Sequence, residues 1–160
     1  MKLGLDTSVL IASIKKRGEK YHSSAMDLGE TVKKGGHIGV ASSLLLIELP
    51  GALATTKMPV EKIYETELSL EQSFNLEIMS YEDYIDGTLN LIFEFRDLKR
   101  MLGIGAADFH HLATSIGEGC SSFVTVDEKH LLRSETREAL RKHIEILGPQ
   151  EAVRRLRERD

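Results

Sequence analysis

Five short apolar runs, separated by stretches of helical periodicity, leave this 160-residue chain few folds to choose from. The runs cover residues 3–5, 37–40, 76–79, 122–126 and 144–147. Each has strand length, too short for a helix. Between them the spacing predicts helices over about 8–16 and 21–34, the second stopped by Gly35-Gly36. Ser42 or Ser43 can cap a helix carrying Leu44, Leu45, Ile47 and Glu48, which Pro50-Gly51 should kink or break. A helix fits 60–73, and the clearest one has Ile85, Leu89, Ile92, Phe95 and Leu98 or Lys99 on one face until Gly103-Ile104-Gly105 ends it. Further helices are expected over 106–117, briefly after Asp127, around 135–142, and from Pro149 at a first helical position. Strands alternating with helices predict an α/β fold: a mainly parallel sheet of four or five strands, covered on both faces. Residues 1–148 read as one domain and 149–160 as its helical extension.

A sheet of this kind binds ligands in the crevice beyond the carboxyl ends of its strands. Four acids fall where that crevice would gather them. Asp6 follows the first run and Asp127 the fourth, while Glu48 and Asp108 lie on helices that follow or feed strands. Each has a plainer role open to it. Asp6 and Asp127 can cap the segments that follow them, and Glu48 can be a solvated helix acid. Asp108 sits beside Phe109 and Leu112, on a helix whose other face is Ile104, Ala107, His111 and Leu112, which suggests partial burial. A buried carboxylate needs a partner or a metal. Two like charges about 4 Å apart repel by about 4 kcal/mol at an effective dielectric near 20. Acids that gather must therefore be protonated or share a cation, and a divalent metal is the expectation.

Composition narrows the classes further. Cys120 is the only cysteine, so neither an intrachain disulfide nor a cysteine-type zinc site can form. No cationic segment leading into an apolar one opens the chain, and no run is long enough to span a bilayer, so a cytoplasmic protein without membrane contact is expected. A net charge of −4 does not announce a nucleic-acid binder. The basic clusters Lys15-Lys16-Arg17, Lys33-Lys34, Lys99-Arg100 and Arg154-Arg155 read as solvated helix faces or helix ends.

The sequence resembles a known family at four places in order: Asp6-Thr7-Ser8-Val9-Leu10-Ile11, Glu48 within Ser42-Ser43-Leu44-Leu45-Leu46-Ile47-Glu48-Leu49, Ala107-Asp108-Phe109-His110-His111-Leu112-Ala113, and Phe123-Val124-Thr125-Val126-Asp127. These are similar to the motifs of PIN-domain ribonucleases, within them the VapC-like toxins of prokaryotic toxin–antitoxin pairs. The resemblance implies a three-layer α/β/α sandwich and an acidic Mg²⁺ or Mn²⁺ site built from Asp6, Glu48, Asp108 and Asp127. It implies Thr125 as a supporting hydroxyl, with Thr7 and Ser8 in similar roles. It also implies an RNA substrate cleaved to 5′-phosphate and 3′-hydroxyl ends, an antitoxin protein and a homodimer.

Competing motifs are weaker. Gly103-Ile104-Gly105 lacks the third glycine of a dinucleotide loop and follows a helix. His110 and His111 have no second ligand pair at zinc spacing, and His111 reads as a packed or hydrogen-bonded helix residue. A phosphatase would need an Asp-x-Asp where the chain has Asp6-Thr7-Ser8. A non-catalytic module that binds RNA or protein, and a stand-alone RNA-processing nuclease, are the alternative readings.

Overall fold

In a computed structural model of the chain, which describes residues 1–56 and 58–158, all five expected strands form. In chain order the elements are β1 (Lys2–Leu5), α1 (Thr7–Ile14), α2 (His22–Lys34), β2 (Ile38–Ser42), α3 (Leu45–Ala54), α4 (Val60–Phe74) and β3 (Leu76–Met79). A single 3₁₀ turn (Glu82–Tyr84) follows, then α5 (Ile85–Glu94), α6 (Arg96–Leu102), α7 (Ala106–Gly117), β4 (Ser122–Val124), α8 (Ser134–Leu140), β5 (Glu145–Leu147) and α9 (Pro149–Arg157). Every strand pairing is parallel, in the order β3-β2-β1-β4-β5. Helices cover both faces, giving the three-layer α/β/α sandwich. Leu3, Leu5, Val124 and Leu147 point into one core with α1, α2, α3, α4 and α9, while Phe123 and Ile146, one residue out of phase, point into the other with Phe109, Leu112 and Leu140.

Gly4 sets the height of α7 above the sheet. A Cβ built there would stand 2.0 Å from Ser115 Oγ and 2.5 Å from Ser115 Cβ, so only glycine lets the helix lie this close to β1. Gly36 and Gly103 end α2 and α6 in left-handed conformations with φ of 62° and 74°.

Several expectations change. The break at Pro50-Gly51 does not occur: α3 runs through both residues to Ala54. Proline in a helix interior costs about 3 kcal/mol, but Leu45, Leu49 and Leu53 are all buried, at about 1.5–3 kcal/mol each. Packing outweighs propensity. The single helix expected up to Gly103 is two, α5 and α6, divided at Phe95. Ile92, Phe95 and Leu98 of the expected face pack against the core, but Leu89 is exposed and Thr88 and Leu91 are buried instead. A Cβ on Gly87 would lie 3.6 Å from Ala113 of α7, and Thr88 hydrogen-bonds His110. Small and hydroxyl residues make that interface, and a count of apolar residues does not see them. After Asp127 the chain forms turns rather than a short helix, and β4 ends at Val124. On α7, Ala107 is exposed, and the buried stretch runs from Phe109 to Ser115. The terminal helix starts at Pro149 as expected and packs Ala152, Val153 and Leu156 into the core, while the last two positions of the expected 149–160 extension lie outside the described residues.

Candidate functional site

Strand order places β1 in the middle, with β2 and β3 to one side and β4 and β5 to the other. The direction of winding therefore reverses between β1 and β4, and the crevice opens at their carboxyl ends. Asp6 is the residue after β1, and its N–H donates to Val124 O at the end of β4, 3.0 Å away. Thr125 and Asp127 continue from β4 into that opening. α3 begins just past the end of β2, and Ser42 Oγ accepts the Leu44 N–H there at 3.2 Å, which brings Glu48 to the same edge. α7 enters from the opposite layer with Asp108 in its first turn and His111 one turn on.

Hydrogen bonds tie most of these groups together. Thr125 Oγ1 donates to Asp6 Oδ2 at 2.6 Å and Ser8 Oγ donates to the same oxygen at 2.7 Å. Thr125 Oγ1 also accepts the Asp127 N–H at 3.1 Å, linking the first acid to the fourth. Thr7 Oγ1 donates to Glu48 Oε2 at 2.6 Å, and His111 Nε2 lies 2.9 Å from that oxygen. Asp108 Oδ2 accepts the Gly105 N–H at 2.7 Å. Asp127 Oδ1 accepts the N–H groups of Lys129 and His130, and its Oδ2 lies 2.8 Å from His130 Nδ1. The expected caps at Asp6 and Asp127 are present, in residues that the same hydrogen bonds link to each other.

Electrostatics report the same proximity. Burial pushes the Asp108 carboxyl above the ordinary carboxylate range, and the charges of Asp6 and Asp127 push it further, against the Gly105 N–H and His111. For Glu48, burial acts to raise the carboxyl, but hydrogen bonds from His111 and Thr7 overcome it and hold it below the ordinary range. His111 is raised: burial opposes the charged form, and the bond to Glu48 with the fields of Asp6, Glu48 and Asp108 prevails. Asp6 and Asp127 thus lie near enough to Asp108 to act on its charge, and Glu48 is joined to the same helix through His111. The four acids do not close on a point, since no three His, Cys, Asp or Glu side chains among the described residues are grouped as a ready-made ligand set. The donor chemistry still suits a hard divalent cation, with carboxylate oxygens backed by hydroxyls and no thiol. Repulsion that raises Asp108 is also what such a cation would relieve.

His111 is buried and hydrogen-bonded, as expected, but its partner Glu48 and the contact of His130 with Asp127 escape a reading limited to metal-ligand spacing. Both histidines stand three residues beyond an acid, His111 after Asp108 and His130 after Asp127. That spacing puts His111 on the same side of α7 as Asp108, the signal through which it was findable. A groove of about 550 Å³ between α1, α2 and α4, lined by Met26, Lys33, Lys62 and Phe74 among others, contains none of the four acids.

A family profile for the PIN domain matches residues 4–135, a span that holds all four acids, β2, β3, β4 and the second half of β1. The chain belongs to the PIN-domain family. The crystal structure of VapBC2 from Rickettsia felis bound to a DNA fragment from their promoter resembles it with a TM-score of 0.60 and 19% identity, over 92% of this chain and 98% of that one. That likeness is one of fold. No curated protein matches the chain. Among the described residues of this PIN domain, no helix is long and apolar enough to cross a membrane.

Proposed function

We propose that this PIN-domain protein is a Mg²⁺- or Mn²⁺-dependent ribonuclease that hydrolyses RNA phosphodiester bonds and serves as the toxin of a VapBC-type pair. The observation that supports the proposal is that Asp6, Glu48, Asp108 and Asp127 all lie on segments at the carboxyl edge of the sheet, where burial and, beyond it, the charges of Asp6 and Asp127 raise Asp108. PIN domains are typically nucleases, and the R. felis structure is of a VapBC complex. When bound, the metal supplies Lewis acidity at a phosphate oxygen and a water of lowered pKa.

In this reading Asp6 and Asp108 would hold the ion, Asp127 would complete the set directly or through water, and Glu48 would hold a second ion or orient the attacking water. Thr125 and Ser8 fix the Asp6 carboxylate, and Thr7 fixes Glu48, so each acid keeps its orientation before substrate arrives. An antitoxin partner and a homodimer belong to the same proposal.

Labelled RNA incubated with the full chain and Mn²⁺, beside a phosphatase substrate, tests it. Cleavage of RNA alone, lost with EDTA and in Asp108→Asn, is the expected result. RNA cleavage that persists in Asp108→Asn refutes the site, and binding of RNA without turnover by the wild type leaves the non-catalytic module as the answer. Growth arrest on expression, relieved by the product of a small neighbouring reading frame, separates the toxin from a stand-alone processing nuclease.

A further inference from the structure

We propose that His111 is a positioning residue that sets which oxygen of Glu48 faces the cation, an inference that rests on the metal-site reading above. Both hydrogen bonds to Glu48 land on the same atom: Thr7 Oγ1 at 2.6 Å and His111 Nε2 at 2.9 Å both meet Oε2. Among the described residues nothing donates to Oε1. Two donors on one oxygen restrain the carboxylate and leave the other oxygen available to a ligand.

The bridge also joins the two halves of the site. Glu48 belongs to α3 in one helical layer, and His111 to α7 in the other, one turn from Asp108. The imidazole therefore fixes the spacing between the second acid and the third. Its own environment argues against simple core filling. His111 is 3% exposed, and its buried Nδ1 has no hydrogen-bond partner. A leucine would fill that volume without leaving a polar atom unmatched. The polar cost is understandable if the donor at Nε2 is what the position requires. Asp6 likewise takes two hydroxyls, Thr125 and Ser8, on Oδ2, although its Oδ1 also accepts the Ser8 N–H at 3.4 Å.

Groups that orient metal-binding carboxylates typically change metal affinity by about 10- to 100-fold when removed. Mn²⁺ binding to the full chain, followed by calorimetry and by the electron paramagnetic resonance of free Mn²⁺, reads this directly without substrate. His111→Leu is expected to weaken binding by about 10- to 100-fold with an unchanged circular dichroism spectrum. His111→Gln, whose amide offers an N–H near the position of Nε2, is expected to restore most of it. In a Glu48→Gln background, His111→Leu should add nothing, because the two act as a unit.

Wild-type affinity in His111→Leu, or equal weakening in His111→Leu and His111→Gln, overturns the positioning role. Asp6→Asn separates this from failure of the underlying reading: undiminished Mn²⁺ binding in that variant removes the metal site itself, and the proposal with it. Should His111→Leu not fold, nitrogen-15 spectra of the wild-type histidines give the answer. A protonated Nε2 whose resonance moves with Mg²⁺ binding supports the role, and a resonance that stays still overturns it.

Discussion

Gly4→Ala is the change that would test how the fold holds its site. The new methyl group would meet Ser115 Oγ at 2.0 Å, Ser115 Cβ at 2.5 Å and Phe123 Cδ2 at 3.0 Å. Carbon atoms pack comfortably at about 3.5–4.0 Å, so α7 and β1 must part by about 1 Å. Rotating the Ser115 side chain offers no escape, because Cβ is fixed to the helix and the hydroxyl already donates to His111 O at 2.8 Å. Overpacking of this kind costs about 1–3 kcal/mol, and for a domain of this size each kcal/mol lowers Tm by about 2–4 °C. A fall of roughly 2–12 °C is expected in a calorimetric scan. The consequence for the site should be larger than that for the fold. α7 carries Asp108 and His111, and a 1 Å misplacement can cost about 100-fold in rate. Gly51→Ala is the matching control: a Cβ at Gly51 meets nothing within 4 Å, so replacing it in α3 should stabilise by about 0.5–1 kcal/mol. A Gly4→Ala protein with wild-type Tm and wild-type Mn²⁺ affinity would refute the claim that this glycine sets the height of α7.

Asp108→Asn should raise the Tm of the metal-free protein at neutral pH. The folded-state carboxyl is raised, so its anion costs stability that is lost as pH climbs from the ordinary carboxylate range through the raised value; asparagine removes that cost and keeps an acceptor for Gly105. Saturating Mn²⁺ should then favour the wild type, by about 2.7 kcal/mol at a hundredfold excess over Kd, and a lower Tm for the variant in EDTA would contradict the electrostatic argument. The Glu48–His111 pair has two edges in pH. Glu48 is lowered, so its contribution is full above the ordinary carboxylate range and fades as pH falls through its lowered value; His111 is raised, so its contribution is full below the ordinary imidazole range and fades as pH rises through its raised value. Denaturant titrations of wild type and His111→Gln should differ most between those limits, and a difference independent of pH would sink the assignment. Pro50→Ala should stabilise α3 by about 2 kcal/mol, the interior-proline penalty less the entropy that proline removes from the unfolded chain. A loss of stability on urea denaturation would mean that the Pro50 ring packs better than its helix pattern implies.

The sequence made the sheet legible because each strand is a short apolar run bounded by polar or glycine residues, a pattern that does not depend on the rest of the fold. The acids were legible for a related reason: Asp6 and Asp127 follow such runs, so their place at the strand ends comes with the strands. What was hidden depends on contacts between distant segments. Pro50 looks like a stop until Leu45, Leu49 and Leu53 are known to be buried on both sides of it. Leu89 looks like core until Thr88 is seen to face His110. The His111 bridge to Glu48 spans 63 residues, and nothing local in either segment announces the other.

Capping and clustering, which look like rival explanations of the acids, are one arrangement. Asp6 caps α1, Asp108 accepts the Gly105 N–H at the start of α7, and Asp127 accepts two N–H groups of the turn that follows it. Asp6 and Asp108 therefore sit at helix N-termini, each worth about 0.3–1 kcal/mol to a nearby anion, and Asp127 is held by the N–H groups of its turn. That contribution offsets part of their mutual repulsion and lets the chain fold before any cation is present. It does not remove the repulsion: burial is the main reason Asp108 stays raised even with its N–H partner, and Asp6 and Asp127 still add to it. A protein built only for stability would replace one of these acids with asparagine, which caps as well without the charge. Three charged acids at these positions instead leave a residual negative field, which is what the proposed cation site would use.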